Sequence, residues 1–71
     1  MKTLKQAFNA GMESFAKHCL MYGAIIGDTS YLDHNNKECR TYTIDIQGCF
    51  AEITKRTGEV VSVSYEEASY A

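Results

Sequence analysis

The chain has 71 residues, of which 45% are hydrophobic and 23% charged, and its formal net charge is −2. This length allows one domain with a small core, and the composition is that of a globular protein rather than a disordered one. The longest apolar stretch, residues 19–26, is too short to span a membrane, and polar residues interrupt the segment where a signal peptide needs a continuous apolar run. We therefore expect a soluble cytoplasmic protein without membrane association.

The first predicted element is an amphipathic helix over residues 4–22. Thr3 and Gln6 have the spacing of a capping box, in which each side chain bonds the other residue's backbone N–H. Gly23 is expected to end the helix in a left-handed conformation, unless the helix runs on to Ile26. The apolar face predicted from helical spacing consists of Leu4, Phe8, Gly11, Met12, Phe15, Cys19 and Tyr22.

An antiparallel meander is predicted to follow the helix. Its first strand is short, and the polar loop after it contains Asn35 and Asn36, which suit left-handed turn conformations. The acidic and polar tail, residues 66–71, is expected to fray. The predicted strands are residues 29–32, 40–46, 49–55 and 59–65.

Two turns predict the register of the last three strands. A two-residue turn at residues 47–48 and a three-residue loop at residues 56–58 place apolar residues opposite one another on a single face. The predicted rows of that face are Tyr42–Ile53–Val61, Ile44–Ala51–Val63 and Ile46–Cys49–Tyr65. The fold class is therefore α+β in two layers, with one helix on a three- to four-stranded antiparallel sheet.

The other face of the sheet is predicted to be open to solvent and mostly polar. Phe50 and Val60 are the apolar exceptions on it, and Asp45 and Glu52 lie diagonally across the first hairpin. The full set predicted for this face is Thr41, Thr43, Asp45, Phe50, Glu52, Thr54, Val60, Ser62 and Ser64.

The sequence offers little for catalysis, cofactors or metals. The three cysteines do not form an even disulfide framework, and no pair of cysteines or histidines has zinc-ligand spacing. Cys19 and Cys49 fit buried core positions, where a thiol is inert. Cys39 with His34 is the one conceivable nucleophile and base, and a small Cys/His enzyme is the least favoured of three hypotheses. We expect no enzyme activity, no cofactor and no metal.

Charge and tyrosine content favour a protein partner. Residues 28–71 carry eight acidic and four basic residues, a net charge of −4, which argues against direct nucleic-acid binding. Such a surface suits a partner with a basic surface, and five tyrosines in a chain of this size are typical of interfaces. The contact residues we predict are Phe50, Asp45, Glu52 and Tyr31.

The favoured hypothesis is thus a small non-enzymatic protein-binding module that occupies a partner's surface. In size and layout the chain resembles the small accessory proteins that bacteriophages encode, including anti-CRISPR inhibitors, and the resemblance implies an inhibitory role. The alternative is a homo-oligomeric structural or regulatory subunit, a homodimer for example, assembled through the open sheet face or an edge strand.

Overall fold

A computed structural model describes residues 3–68 of the chain. Two N-terminal helices precede a four-stranded antiparallel sheet in which neighbouring strands are consecutive in sequence. This architecture confirms the predicted α+β class. The elements are α1 (Leu4–Asn9), α2 (Met12–Tyr22), β1 (Ala24–Leu32), β2 (Glu38–Ile46), β3 (Cys49–Arg56) and β4 (Glu59–Glu67).

The helical segment starts as predicted but does not continue unbroken. Thr3 Oγ1 accepts from the Gln6 N–H at 3.2 Å, and Gln6 Oε1 accepts from the Thr3 N–H at 3.0 Å, which completes the capping box. The prediction of one helix over residues 4–22 is wrong, because Gly11 has φ 115° and ψ 165° and separates α1 from α2. Glycine reaches this region at little cost because it has no Cβ.

The break changes which side chains are buried. Phe15 and Cys19 are fully buried as predicted, whereas Met12 and Tyr22 are exposed at 47% and 55% of their surface. Because Gly11 interrupts the helical repeat, the residues of α1 and α2 do not share the single apolar face that an unbroken helix would have. Phe8, at 39% exposure, lies with its ring edge against Phe15 at a centroid distance of 5.2 Å.

Gly23 ends α2, but not in the predicted left-handed conformation. Its φ is −97° and its ψ is 172°, so the chain leaves the helix in an extended direction and enters β1 directly. Glycine is needed here for space: a Cβ at this position would collide with Cγ2 of Ile44 and come within 2.7 Å of the carbonyl oxygen of Cys19.

The first predicted hairpin is confirmed residue by residue. Ile44 pairs with Ala51 and Ile46 with Cys49, across a two-residue turn. Gln47 and Gly48 have φ values of 52° and 74°, the pattern of a type I′ turn, whose twist matches that of the flanking strands.

The second hairpin differs from the prediction. Thr57 and Gly58 form a two-residue turn with φ values of 47° and 86°, so that Arg56 pairs with Glu59 in place of the predicted three-residue loop. A bulge at Val61 then restores the pattern of the strand.

The shorter turn and the bulge each shift the pairs of the second hairpin by one residue, so beyond the bulge the pairs differ from the prediction by two residues and most of β4 keeps its predicted face. Ile53 pairs with Val63 and Ala51 with Tyr65, where Val61 and Val63 were predicted. Val61 is 38% exposed rather than buried, and Val60 packs against the core rather than lying on the open face.

Both edge strands, β1 and β4, are longer than predicted. β1 begins directly after Gly23 and includes the predicted strand at residues 29–32, while Glu66 and Glu67 belong to β4 rather than to a frayed tail. Ala68, also in the predicted tail, donates its N–H to the Gly48 carbonyl oxygen at 3.1 Å, and residues 69–71 lie outside the described residues. In the β1–β2 loop, Asn36 has φ 60°, as the composition of that loop predicted.

The core lies between the helices and the central strands. β1 contributes no residue to it, and only partly buried side chains come from β4. Its buried members are Leu4, Ala7, Phe15, Ala16, Cys19, Ile44, Ile46, Ala51 and Ile53. Neither helix within residues 3–68 is long and apolar enough to cross a membrane.

Candidate functional site

The face of the sheet opposite the helices presents a regular grid of side chains. Each row contains one residue from each strand, and neighbouring strands lie about 4.8 Å apart. From one end of the sheet to the other, the rows are Ala24–Asp45–Phe50–Glu66, Gly27–Thr43–Glu52–Ser64, Thr29–Thr41–Thr54–Ser62 and Tyr31–Cys39–Arg56–Glu59.

An aromatic side chain flanked by carboxylates occupies the first row. Phe50 pairs with Asp45 on one side and with Glu66 on the other, and Glu52 follows it on β3, roughly 7 Å along the strand. Ile26, which is 58% exposed, lines the same shallow depression as Phe50, Glu52 and Glu66. We call these five residues the Phe50 patch.

The Phe50 patch has a formal charge that nothing within the described chain neutralises. Its three carboxylates form no ion pair within residues 3–68. The nearest basic residue on this face is Arg56, three rows away, and its Nε is already paired with Asp33 at 3.2 Å. An apolar centre with an uncompensated acidic rim favours a ligand that combines an apolar group with positive charge.

Three of the four predicted contact residues therefore come together. Phe50, Asp45 and Glu52 adjoin one another as the register of the first hairpin predicts. The fold does not bring Tyr31 into the group, because it lies on edge strand β1 in the fourth row, roughly 20 Å away along the strands.

Two members of the Phe50 patch were missed by sequence reasoning. Glu66 faces Phe50 because the two-residue turn and the bulge in β4 together move the register by two positions, whereas the predicted register opposes Ser64 to Phe50. Ile26 belongs to the part of β1 that was not predicted as a strand. The signal for it was the pair of β-branched residues after Gly23, which favour a strand over a continued helix.

The structure does not assemble the hypothetical Cys39 and His34 pair. Cys39 is buried at 3% exposure, and its Sγ donates to the Lys37 carbonyl oxygen at 3.7 Å and to Asp33 Oδ2 at 4.0 Å. His34 is exposed on the loop, and no hydrogen bond joins it to Cys39 within residues 3–68. The groups beside this thiol are thus a backbone carbonyl and the Asp33 carboxylate, and not the His34 imidazole that the hypothesis requires.

Asp33 holds the β1–β2 loop together. Its Oδ1 accepts from the backbone N–H groups of Asn35 and Lys37, each at 2.9 Å, and its Oδ2 pairs with Arg56 Nε. These contacts lower the pKa of Asp33 below its usual value of 3.8. The hydrogen bond from the Lys37 N–H has the largest effect, followed by those of the Asn35 N–H and the Arg56 guanidinium.

This lowered pKa predicts a contribution of Asp33 to stability that disappears in acid. Because the ionised form is favoured in the folded state, the contribution is present above the unfolded-state pKa and is lost as pH falls through the lower folded-state value. Thermal unfolding of the Asp33→Asn variant should show a lower melting temperature at neutral pH and a weaker dependence on pH below about 4. The control is Asp28→Asn, which removes only an exposed pair with Arg40; an equal loss there would contradict this role for Asp33.

The remaining cysteines are divided between core and surface differently from the prediction. Cys19 is fully buried, and burial raises the pKa of its thiol to about 11. Cys49, predicted to be buried, is only half-buried, whereas Cys39 is buried instead. Within the described part of the chain, no three His, Cys, Asp or Glu side chains are grouped so that they could hold a metal ion.

Comparison of the chain with protein-family models, with curated proteins and with solved structures finds no match.

Proposed function

We propose that this chain is a protein-binding module that acts through the Phe50 patch and occupies a basic and apolar surface on another protein. The observation that carries the proposal is the position of Phe50, which is flanked in register by two carboxylates on a face that no helix covers. An inhibitory role follows if the partner uses that basic surface for its own ligand.

The residues of the Phe50 patch are expected to contribute unequally to the binding free energy. An aromatic residue at the centre of an interface, once fully desolvated, supplies a large share of the binding energy, whereas exposed rim charges mainly steer encounter and fix orientation. Phe50 should therefore dominate the affinity, and Glu52 and Glu66 should dominate the salt dependence and the association rate.

Selection of a randomised peptide library on the immobilised protein tests the proposal without a known partner. Enriched peptides should combine lysine or arginine with an apolar residue. Phe50→Asp should weaken the best peptide at least tenfold, which corresponds to about 1.4 kcal/mol. The matched control is Ser62→Asp, which adds the same charge at an exposed position of the same face but two rows away.

Two results would count against the proposal. One is a set of enriched peptides without an excess of basic residues. The other is full affinity for Phe50→Asp in a sample whose circular dichroism and melting curve match those of the native protein.

A further inference from the structure

β1 is an edge strand whose side chains are exposed and whose outer backbone edge is unpaired within the described residues. Eight of its nine residues are exposed, and within residues 3–68 no strand pairs with its outer edge. Its backbone therefore presents a row of unpaired N–H and C=O groups, which is a template for pairing with another strand.

The other edge of the sheet, β4, is protected by charge in a way that β1 is not. β4 carries Glu59, Glu66 and Glu67, and charged side chains are a usual means of preventing edge-to-edge pairing. Each edge strand has one bulge, at Val61 in β4 and at Ile26 in β1, so the bulges do not distinguish the two edges. β1 contains no lysine or proline, and the carboxylate of its one charged residue, Asp28, is paired with Arg40 Nε at 3.3 Å.

Large apolar side chains flank the free edge of β1 on both faces. Ile25 and Leu32, on the helix side, are exposed at 51% and 65%, and Ile26 and Tyr31, on the open side, at 58% and 46%. Since the core of the domain uses none of these four side chains, they are available to cover a neighbouring strand.

We propose that β1 pairs antiparallel with β1 of a second copy of the chain, so that two sheets become one continuous sheet of eight strands. A two-fold axis perpendicular to the sheet relates the copies, which keeps the helices of both on the same side. Ile26 belongs both to this surface and to the Phe50 patch. The other residues of the two surfaces differ, and the dimer does not depend on peptide binding by the Phe50 patch.

We place the two-fold axis of this pairing at Thr29 because of the side-chain pairs that this register creates. With the axis at Asp28, two carboxylates would lie directly opposite each other, which is destabilising. With the axis at Thr29, Asp28 faces Ser30 of the other copy and Gly27 faces its Tyr31, so that an aromatic ring covers a glycine. The two Thr29 residues then face each other at the axis.

The assembled dimer has two Phe50 patches on one continuous face. The first row of the open face lies at one end of β1, next to Ala24, and the two-fold axis reverses the strand direction. The two patches therefore lie at opposite ends of the combined sheet, and a partner with two basic sites could engage both.

Cysteine cross-linking tests the register. Directly opposed residues of an antiparallel pair have Cα atoms about 4.5–5.5 Å apart, a separation that a disulfide can span. Mild oxidation of Thr29→Cys should therefore give a covalent dimer, while Thr41→Cys, one strand further in on the same row, should remain monomeric. The native protein, with its three cysteines, gives the background level.

Sedimentation analysis tests the dimer itself. A contact between two single edge strands is smaller than a standard interface, so we expect the native protein to dissociate at concentrations on the order of 10–100 µM. Thr29→Lys places two like charges at the axis and should be monomeric throughout that range, whereas Ser62→Lys, a matched exposed control, should dimerise normally.

Several outcomes would overturn the proposal. If the native protein is still monomeric at about 1 mM, the dimer is excluded, because this concentration is far above the range in which the dimer is expected to dissociate. Dimerisation that survives Thr29→Lys, or equal cross-linking of Thr29→Cys and Thr41→Cys, places the contact elsewhere. Peptide binding by the Phe50 patch is measured separately, so the two proposals fail independently.

Discussion

Replacement of Phe15 by alanine is expected to leave much of the protein unfolded at room temperature. Its side chain has no exposed surface, and its ring lies 5.2 Å from that of Phe8 and 5.6 Å from that of Tyr65. Truncation of a buried phenylalanine costs about 3–5 kcal/mol, while a domain of this size is stable by roughly 4–10 kcal/mol. Urea denaturation followed by circular dichroism measures the loss.

Met12→Ala is the matched control for Phe15→Ala. An unbroken helix over residues 4–22 would place both side chains on one buried face, and both truncations would then be severe. Because Gly11 breaks the helix and Met12 is 47% exposed, its truncation should cost less than about 1 kcal/mol. Similar losses in the two variants would contradict the two-helix structure.

Gly23→Ala is expected to destabilise the protein by about 3 kcal/mol, at the upper end of the usual range for overpacking a core. The added methyl group would collide with Ile44 Cγ2, and the Cys19 carbonyl oxygen, which is held by the backbone, lies 2.7 Å away. Since the backbone at Gly23 has an ordinary negative φ, the whole cost is steric. The midpoint of urea unfolding, at unchanged slope, measures it.

Two further variants separate the steric explanation from a capping explanation. If Gly23 adopted a left-handed cap, asparagine would be tolerated better than alanine; with the extended geometry, Gly23→Asn should be no milder than Gly23→Ala. Ile44→Ala removes the colliding Cγ2 atom, so the double variant should lose less stability than the sum of the two single losses. Simple additivity would show that Ile44 is not the obstacle.

The sequence was sufficient to predict the first hairpin because local and long-range signals agree there. Gln47-Gly48 suits a type I′ turn, and that turn places apolar pairs such as Ile44 and Ala51 on the same face. A shift by one residue would have exposed this apolar set, so no competing register fits equally well.

The second hairpin could not be predicted in the same way. A three-residue loop ending in Gly58 and a two-residue turn of Thr57-Gly58 are both acceptable chemically. The two-residue turn alone would turn Val63 and Tyr65 to the other face, but the bulge at Val61 returns them to the helix side, where the three-residue loop also places them. The hydrophobic pattern is therefore nearly the same for the two registers, and only the packing of Val60 and Val61 distinguishes them.

The break at Gly11 and the full length of β1 could not be predicted either, because the hydrophobic pattern does not reveal them. A glycine within an apolar helical pattern is compatible with a close helix–sheet approach as well as with a break, and the pattern itself continues through it. β1 is exposed on both faces, so it lacks the alternation of buried and exposed residues by which strands are recognised.

The part of the candidate site that lies on the first hairpin could be predicted from the sequence. Phe50, Asp45 and Glu52 were placed together by β2 and β3 alone. Glu66 needed the correct register of β4, and Ile26 needed the extension of β1, so both depended on the parts of the sheet where the sequence pattern was ambiguous.

The most direct test of the central claim is an NMR titration of the isotope-labelled protein with the best selected peptide. We expect the largest amide shift changes on residues of the Phe50 patch and their strand neighbours, and we expect these changes to disappear with Phe50→Asp. Changes concentrated on α1, α2 or the β1–β2 loop, with the Phe50 patch unaffected, would contradict this claim.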